Sequence, residues 1–116
     1  MNLEKMSEKE VLEIATPIMD NLMEASTQVD HEKHVKDFSE RMKIIVTKEH
    51  LEKVCKKYQK EKGYFTHREP IAVFKRPDSI AIIWKQSFSE APGEFVAEMV
   101  LIKENGKYLV DHTMVF

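Results

Sequence analysis

Residues 79–110 read SIAIIWKQSFSEAPGEFVAEMVLIKENGKYLV. Apolar side chains alternate with polar ones over much of this stretch, a period of two that belongs to β-strands. Glu90-Ala91-Pro92-Gly93 interrupts it once and Asn105-Gly106 a second time. Asn-Gly between alternating runs is the strongest short-range signal for a two-residue hairpin, because both central residues must take positive φ. Working outward, Pro77-Asp78 marks a turn on one side and Gly63 the start of the strand region. Four runs result: Tyr64 to Arg76, Ser79 to Ser89, Glu94 to Glu104 and Lys107 to Phe116. Such a series is an antiparallel meander.

Before Gly63 the period is 3.6. Ser7-Glu8-Lys9-Glu10 forms a capping box. Val11, Leu12, Ile14, Ala15, Ile18, Met19, Leu22 and Met23 then make an apolar helical stripe. Pro17 lies inside this stripe and predicts a kink, or a break with Thr16 as a new cap. Asp30 caps a second helix carrying Val35, Phe38, Met42 and Ile45, although Ile44-Ile45-Val46 reads equally well as a short strand. Thr47 caps a third, with Leu51, Val54, Cys55 and Tyr58 on one face and Gly63 ending it in the left-handed conformation. Helices first and strands after, with no linker or repeat, predict a single α+β domain over residues 1–116, the helices packed on the concave face of a curved sheet.

Composition narrows the function classes. The 116 residues carry 18 Lys and Arg against 20 Asp and Glu, a net charge of −2, which does not suit nucleic-acid binding. The third helix is lysine-rich and the first thirty residues are acidic, an asymmetry read as two solvated faces that complement each other. No apolar run is long enough to span a bilayer, and Met1-Asn2-Leu3-Glu4-Lys5-Met6 lacks the apolar stretch of a signal peptide. With one cysteine, Cys55, a cytoplasmic location is expected. No phosphate loop, dinucleotide fingerprint or CxxC pair is present, so no cofactor is expected. His31 and His34 stand three apart, one short of the i, i+4 zinc spacing, so no metal site is expected either.

If the turns set the strand register without bulges, partner numbers sum to 155, 183 and 211 in the three hairpins, counted from the turn residues. One face then carries His67–Phe88–Phe95–Phe116, Glu69–Gln86–Ala97–Met114, Ile71–Trp84–Met99–His112 and Val73–Ile82–Leu101–Val110. His112 and Glu69 are the acid–base candidates on this face, and His67, Trp84, Gln86, Met99 and Tyr58 are candidates for lining a ligand pocket. The opposite face is also apolar, at Ala72, Phe74, Ala81, Ile83, Val100 and Ile102 among others. Too few helices remain to cover it, and a homodimer through the sheet is the simplest cover.

The element order, with Phe38-Ser39-Glu40, Thr47-Lys48-Glu49-His50-Leu51, Gly63-Tyr64-Phe65 and Gly106-Lys107-Tyr108-Leu109-Val110-Asp111-His112, resembles the nuclear transport factor 2-like superfamily, in particular its small uncharacterised bacterial members. The resemblance implies a cone whose helices and concave sheet enclose a pocket, often in a dimer. It also implies a choice between non-catalytic binding proteins and enzymes such as ketosteroid isomerases, polyketide cyclases and dehydratases. The leading expectation is a pocket for a small, largely apolar molecule. In the catalytic alternative, His112 and Glu69 exchange a proton with a carbonyl substrate. A further alternative is an interaction module whose cone is filled by Phe88, Phe95, Met99, Met114 and Phe116.

Overall fold

The computed structural model describes residues 2–116, so Met1 of the N-terminal stretch read above lies outside the described residues. After a 3-10 turn at Leu3–Lys5 come helices α1 (Glu8–Gln28), α2 (His31–His34), α3 (Glu40–Ile45) and α4 (Lys48–Lys62). Strands β1 (Phe65–Lys75), β2 (Ile80–Phe88), β3 (Phe95–Glu104) and β4 (Lys107–Val115) follow, in one antiparallel sheet of order β1-β2-β3-β4. The sheet is curved and open, and the helices cover one face of it.

Local chemistry accounts for most element ends. Ser7 accepts from the Glu10 amide while the Glu10 carboxylate accepts from the Ser7 amide, completing the capping box at the start of α1. The helix runs through Pro17 without a break. Val11, Ala15, Met19, Leu22 and Met23 are buried on both sides of the proline, and that continuous packing carries the helix across it as one element. The expected second helix is instead two short ones, since Ser39 starts α3 by accepting from the Met42 amide. Ile44 and Ile45 end that helix and form no strand. Thr47 caps α4 as its sequence predicts. Gly63 ends α4 at φ +82° and ψ −134°, a positive-φ conformation but not the helical left-handed one expected. Asn105 and Gly106 both take positive φ, as the two-residue turn requires.

The strand register departs from the turn-set expectation in three places. Between β2 and β3 the partners sum two lower, as in Trp84 with Ala97 and Ile82 with Met99, so both strands keep their expected faces. In β1, irregularities lie between Phe65 and Arg68 and between Pro70 and Ala72. Proline brings no N–H to the ladder and sits here on an edge strand, where an irregularity is tolerated. Between β3 and β4 the register is as expected up to Leu101–Val110, then slips by one. The extra residue is Asp111. Its neighbour Val110 is gripped from the other side by the segment between α2 and α3, donating to Asp37 O and accepting from the Ser39 amide. Asp111 itself accepts from the Ser39 hydroxyl at 2.8 Å and from Arg41.

Each one-residue slip exchanges the faces beyond it. Two expectations fail for that reason. Glu69 pairs with Lys85, not Gln86, and His112 pairs with Val100, not Met99, which puts both on the outer face away from the helices. His67, expected beside them, is exposed and lies 3.6 Å from Glu69. Arg68, Pro70, Thr113 and Val115 take inner-face places instead. Arg68 crosses to α1, where its guanidinium meets Asp20 and lies over the Trp84 ring at 5.7 Å. The inner face and the helices share one apolar cluster, in which Ala15, Met19, Cys55, Ile82, Ala97, Met99, Leu101 and Val110 have no exposure at all.

Candidate functional site

The packing opens at one end of the inner face. Beyond Trp84 and Ala97 the strands present Phe88, Phe95 and Val115, with Phe65 completing the row, and helix α1 no longer closes over them. A cleft of about 200 Å³ remains, bounded by the second half of α1, by α4, by His34 of α2 and by the end of β4. That is the liquid volume of about seven waters, and less than the roughly 300 Å³ at which sites for drug-sized molecules begin.

Aromatic rings make much of the wall. Tyr58 lies 5.0 Å from Phe65 and 6.2 Å from Phe88, Phe65 lies 5.0 Å from Phe88, and Phe88 meets Phe95 edge-on at 5.1 Å. Flat rings in such mutual contact interlock with one another and leave the centre of the cleft unfilled. Polar groups enter the wall at a few points. Ser26 and Tyr58 share a hydrogen bond of 2.7 Å, and Ser26 also lies 3.3 Å from the buried thiol of Cys55. Burial raises the Tyr58 phenol above its ordinary pKa, only partly offset by the hydrogen bonds from Ser26 and Gln59, so it stays a neutral hydroxyl at pH 7.

His34 forms another polar point. Burial, with a smaller contribution from the nearby His31, lowers its pKa to about 4, so the imidazole is neutral under ordinary conditions. Its Nδ1 is buried without a hydrogen-bond partner, and its ring packs edge-on against Phe38 at 5.2 Å. His31, in contrast, is spent on Val46 O at 2.9 Å. The two histidines therefore do not share a ligand, and among the described residues no cluster of three or more His, Cys, Asp and Glu could hold a metal ion.

The candidates chosen from sequence distribute unevenly. Tyr58 lines the cleft. Trp84, Gln86 and Met99 lie on the inner face but are fully buried within the core, away from the cleft wall. Gln86 spans the irregularity in β1, its amide nitrogen donating to His67 O and Ser87 O while Oε1 finds no partner. His112 donates to Glu98 at 2.6 Å on the outer face, and Glu69 is engaged there with Lys85 at 3.5 Å. No common pocket brings His112 and Glu69 together with Tyr58. Sequence reasoning missed His34 and Lys62. The first was weighed only as a metal ligand beside His31, and the second was counted within the solvated, lysine-rich face of the last helix.

No protein-family model matches the sequence, and no curated protein matches it. Solved structures do. A protein of unknown function with a cystatin-like fold from Nostoc punctiforme superposes with a TM-score of 0.66 at 13% identity, covering 99% of this chain and 93% of that one. A nuclear transport factor 2-like protein of unknown function from Methylobacillus flagellatus gives 0.63 at 9% identity, covering 99% and 97%. Bd1075 of Bdellovibrio bacteriovorus gives 0.56 at 14% identity, and there this chain spans only 42% of the other. At these identities the likeness establishes the fold and says nothing of activity.

Proposed function

From a nuclear transport factor 2-like cone that is closed at one end and open at the other, we propose that the protein binds a small, largely apolar molecule in the cleft between α1, α4 and the sheet. One observation carries the reading: aromatic and aliphatic side chains surround about 200 Å³ of space directly beside a core packed to zero exposure. Apolar walls with a few fixed polar groups are the usual composition of a small-molecule site. Tyr58, Ser26 and His34 are the polar points that would orient the occupant. An acid–base reaction at His112 and Glu69 draws no support from this geometry, because each is engaged on the outer face, His112 in a hydrogen bond with Glu98 and Glu69 with Lys85.

The same proposal includes a homodimer through the outer sheet face. Phe74 is more than half exposed there and Ala72, Ala81, Ile83, Val100 and Ile102 are partly exposed beside it, an apolar surface around the Glu98–His112 pair that a second copy would cover. A cytoplasmic location belongs to it too, supported by the free buried thiol of Cys55. Among the described residues no helix is long and apolar enough to cross a membrane.

Isothermal titration with 1-octanol, a probe of suitable size, tests the cleft. Saturable binding to the native chain and its loss in Val115→Trp, which fills the cleft from β4, is the expected result. Unsaturable uptake, or equal binding by the filled variant, would refute the reading. For the dimer, light scattering should give twice the chain mass of 13.6 kDa, and Phe74→Glu should reduce it to the single mass. A native chain that already scatters as a monomer removes the dimer from the proposal.

A further inference from the structure

The inward face of α4 runs Leu51, Cys55, Tyr58 and then, four residues on, Lys62. Spacing of i, i+4, i+7 and i+11 continues one helical stripe, so a lysine stands where the stripe calls for an apolar residue. The other five lysines of this helix, at positions 48, 53, 56, 57 and 60, are exposed, whereas Lys62 is half-buried in the cleft wall.

Its ammonium lies 5.9 Å from the centre of the Phe88 ring and 5.5 Å from that of Phe95. Ring faces attract a cation, and the four-carbon stem packs against apolar surface at the same time. What Lys62 lacks is an anion. Among the described residues it takes part in no ion pair, unlike Lys33, Lys43 and Lys85, each of which reaches a carboxylate. In a chain with 20 acidic residues, not one Asp or Glu lines the cleft. Its other titratable side chains are Tyr58, neutral at pH 7, the neutral His34, and His50. Glu61 and Glu90, the nearest acids along the chain and across the loop, are exposed and outside the cleft wall. The carbonyls at this end of α4 are occupied as well, Lys62 O by the Glu90 amide at 2.9 Å and Gln59 O by the Gly63 amide at 3.1 Å.

We propose that the occupant of the cleft is a singly charged carboxylate on a short apolar body, and that Lys62 holds the carboxylate at the mouth while the aromatic wall holds the body. The proposal rests on the cleft being a ligand site. One free ammonium offsets one negative charge, and no arginine or row of backbone amides accompanies it as a doubly charged phosphate would want. The space suits a ligand of about ten non-hydrogen atoms, the size of a medium-chain fatty acid or an arylalkanoic acid. Partly desolvated against two rings, the ammonium interacts with a carboxylate more strongly than a fully solvated surface pair does.

Titration of octanoate against 1-octanol at pH 7 tests this, since the two differ mainly in charge. Octanoate should bind about tenfold more tightly, and Lys62→Met should erase the preference while leaving 1-octanol within about twofold of its native affinity. Lys62→Arg should retain the preference, which separates loss of charge from loss of packing. Equal affinity for the two probes in the native chain would overturn the carboxylate assignment and leave the cleft reading standing. So would a preference that survives in Lys62→Met. Failure of both probes to bind the native chain would overturn the cleft reading and this assignment together.

Discussion

The two ends of the inner sheet face are built from residues of similar hydrophobicity and finish in different states. At the hairpin end, Ile80, Ile82, Met99, Leu101 and Val110 are at most 1% exposed beneath the helices. At the other end, Phe65, Phe88, Phe95 and Val115 surround a cleft. Branched and flexible aliphatic side chains interlock to crystal-like density, while rings held in edge-on and tilted contact keep fixed shapes and leave space between them. Apolar content alone therefore does not decide whether a cone is filled. Side-chain shape and the reach of the covering helix do.

The sharpest way to break this contrast is truncation. Ile82→Ala, which leaves a void in the closed end, should cost about 2–5 kcal/mol in urea unfolding, whereas Phe95→Ala at the cleft should cost about 1–2 kcal/mol, because its site is already open. Equal costs would mean that both ends are packed alike.

Proton binding separates the ends a second way. The folded chain holds His34 near pKa 4, below the ordinary imidazole value of about 6.5, so between those values the unfolded chain binds more protons and stability rises with pH. Full stabilisation from this group is present above about pH 6.5 and is lost as pH falls toward 4, with a span of up to about 3 kcal/mol. Unfolding at pH 4.5 and pH 7 should show a larger difference for the native chain than for His34→Phe. Ile82→Ala should leave that pH difference unchanged.

Gly63 offers a smaller effect at the cleft end. A Cβ there would run into Ser89 Oγ and the side chain of Glu90, in a backbone conformation that favours glycine. Gly63→Ala should cost about 1–3 kcal/mol and, since the same turn fixes Lys62, weaken octanoate binding at the cleft. An alanine variant with native stability would show that the turn can relax without disturbing the mouth.

The parts of the fold legible from sequence are those decided locally. Ser7 with Glu10, Thr47, and Asn105 with Gly106 each set an element boundary through their own hydrogen bonds or φ preference, and each does so in the structure. Strand faces were not legible to the same extent, because a bulge is set by what docks on the strand. The slip at Asp111 follows from the grip of residues 37–39 on Val110, a contact between segments about seventy residues apart. That single residue turns His112 outward, and the irregularity beside Pro70 does the same for Glu69. Tyr58 was legible because its place follows from helical spacing within α4. Lys62 falls on the same spacing and was passed over because a reading of apolar periodicity does not count a lysine that continues the stripe.

The central claim is that the open end of the cone is a binding site, and an amide and methyl NMR titration with octanoate tests it most directly. Saturating shifts confined to Met23, Tyr58, Phe65, Phe88, Phe95 and Val115, with Ile80, Ile82 and Leu101 unmoved, are the predicted result. Shifts concentrated on Phe74, Ile83 and Val100 of the outer face, or none that saturate, would contradict it.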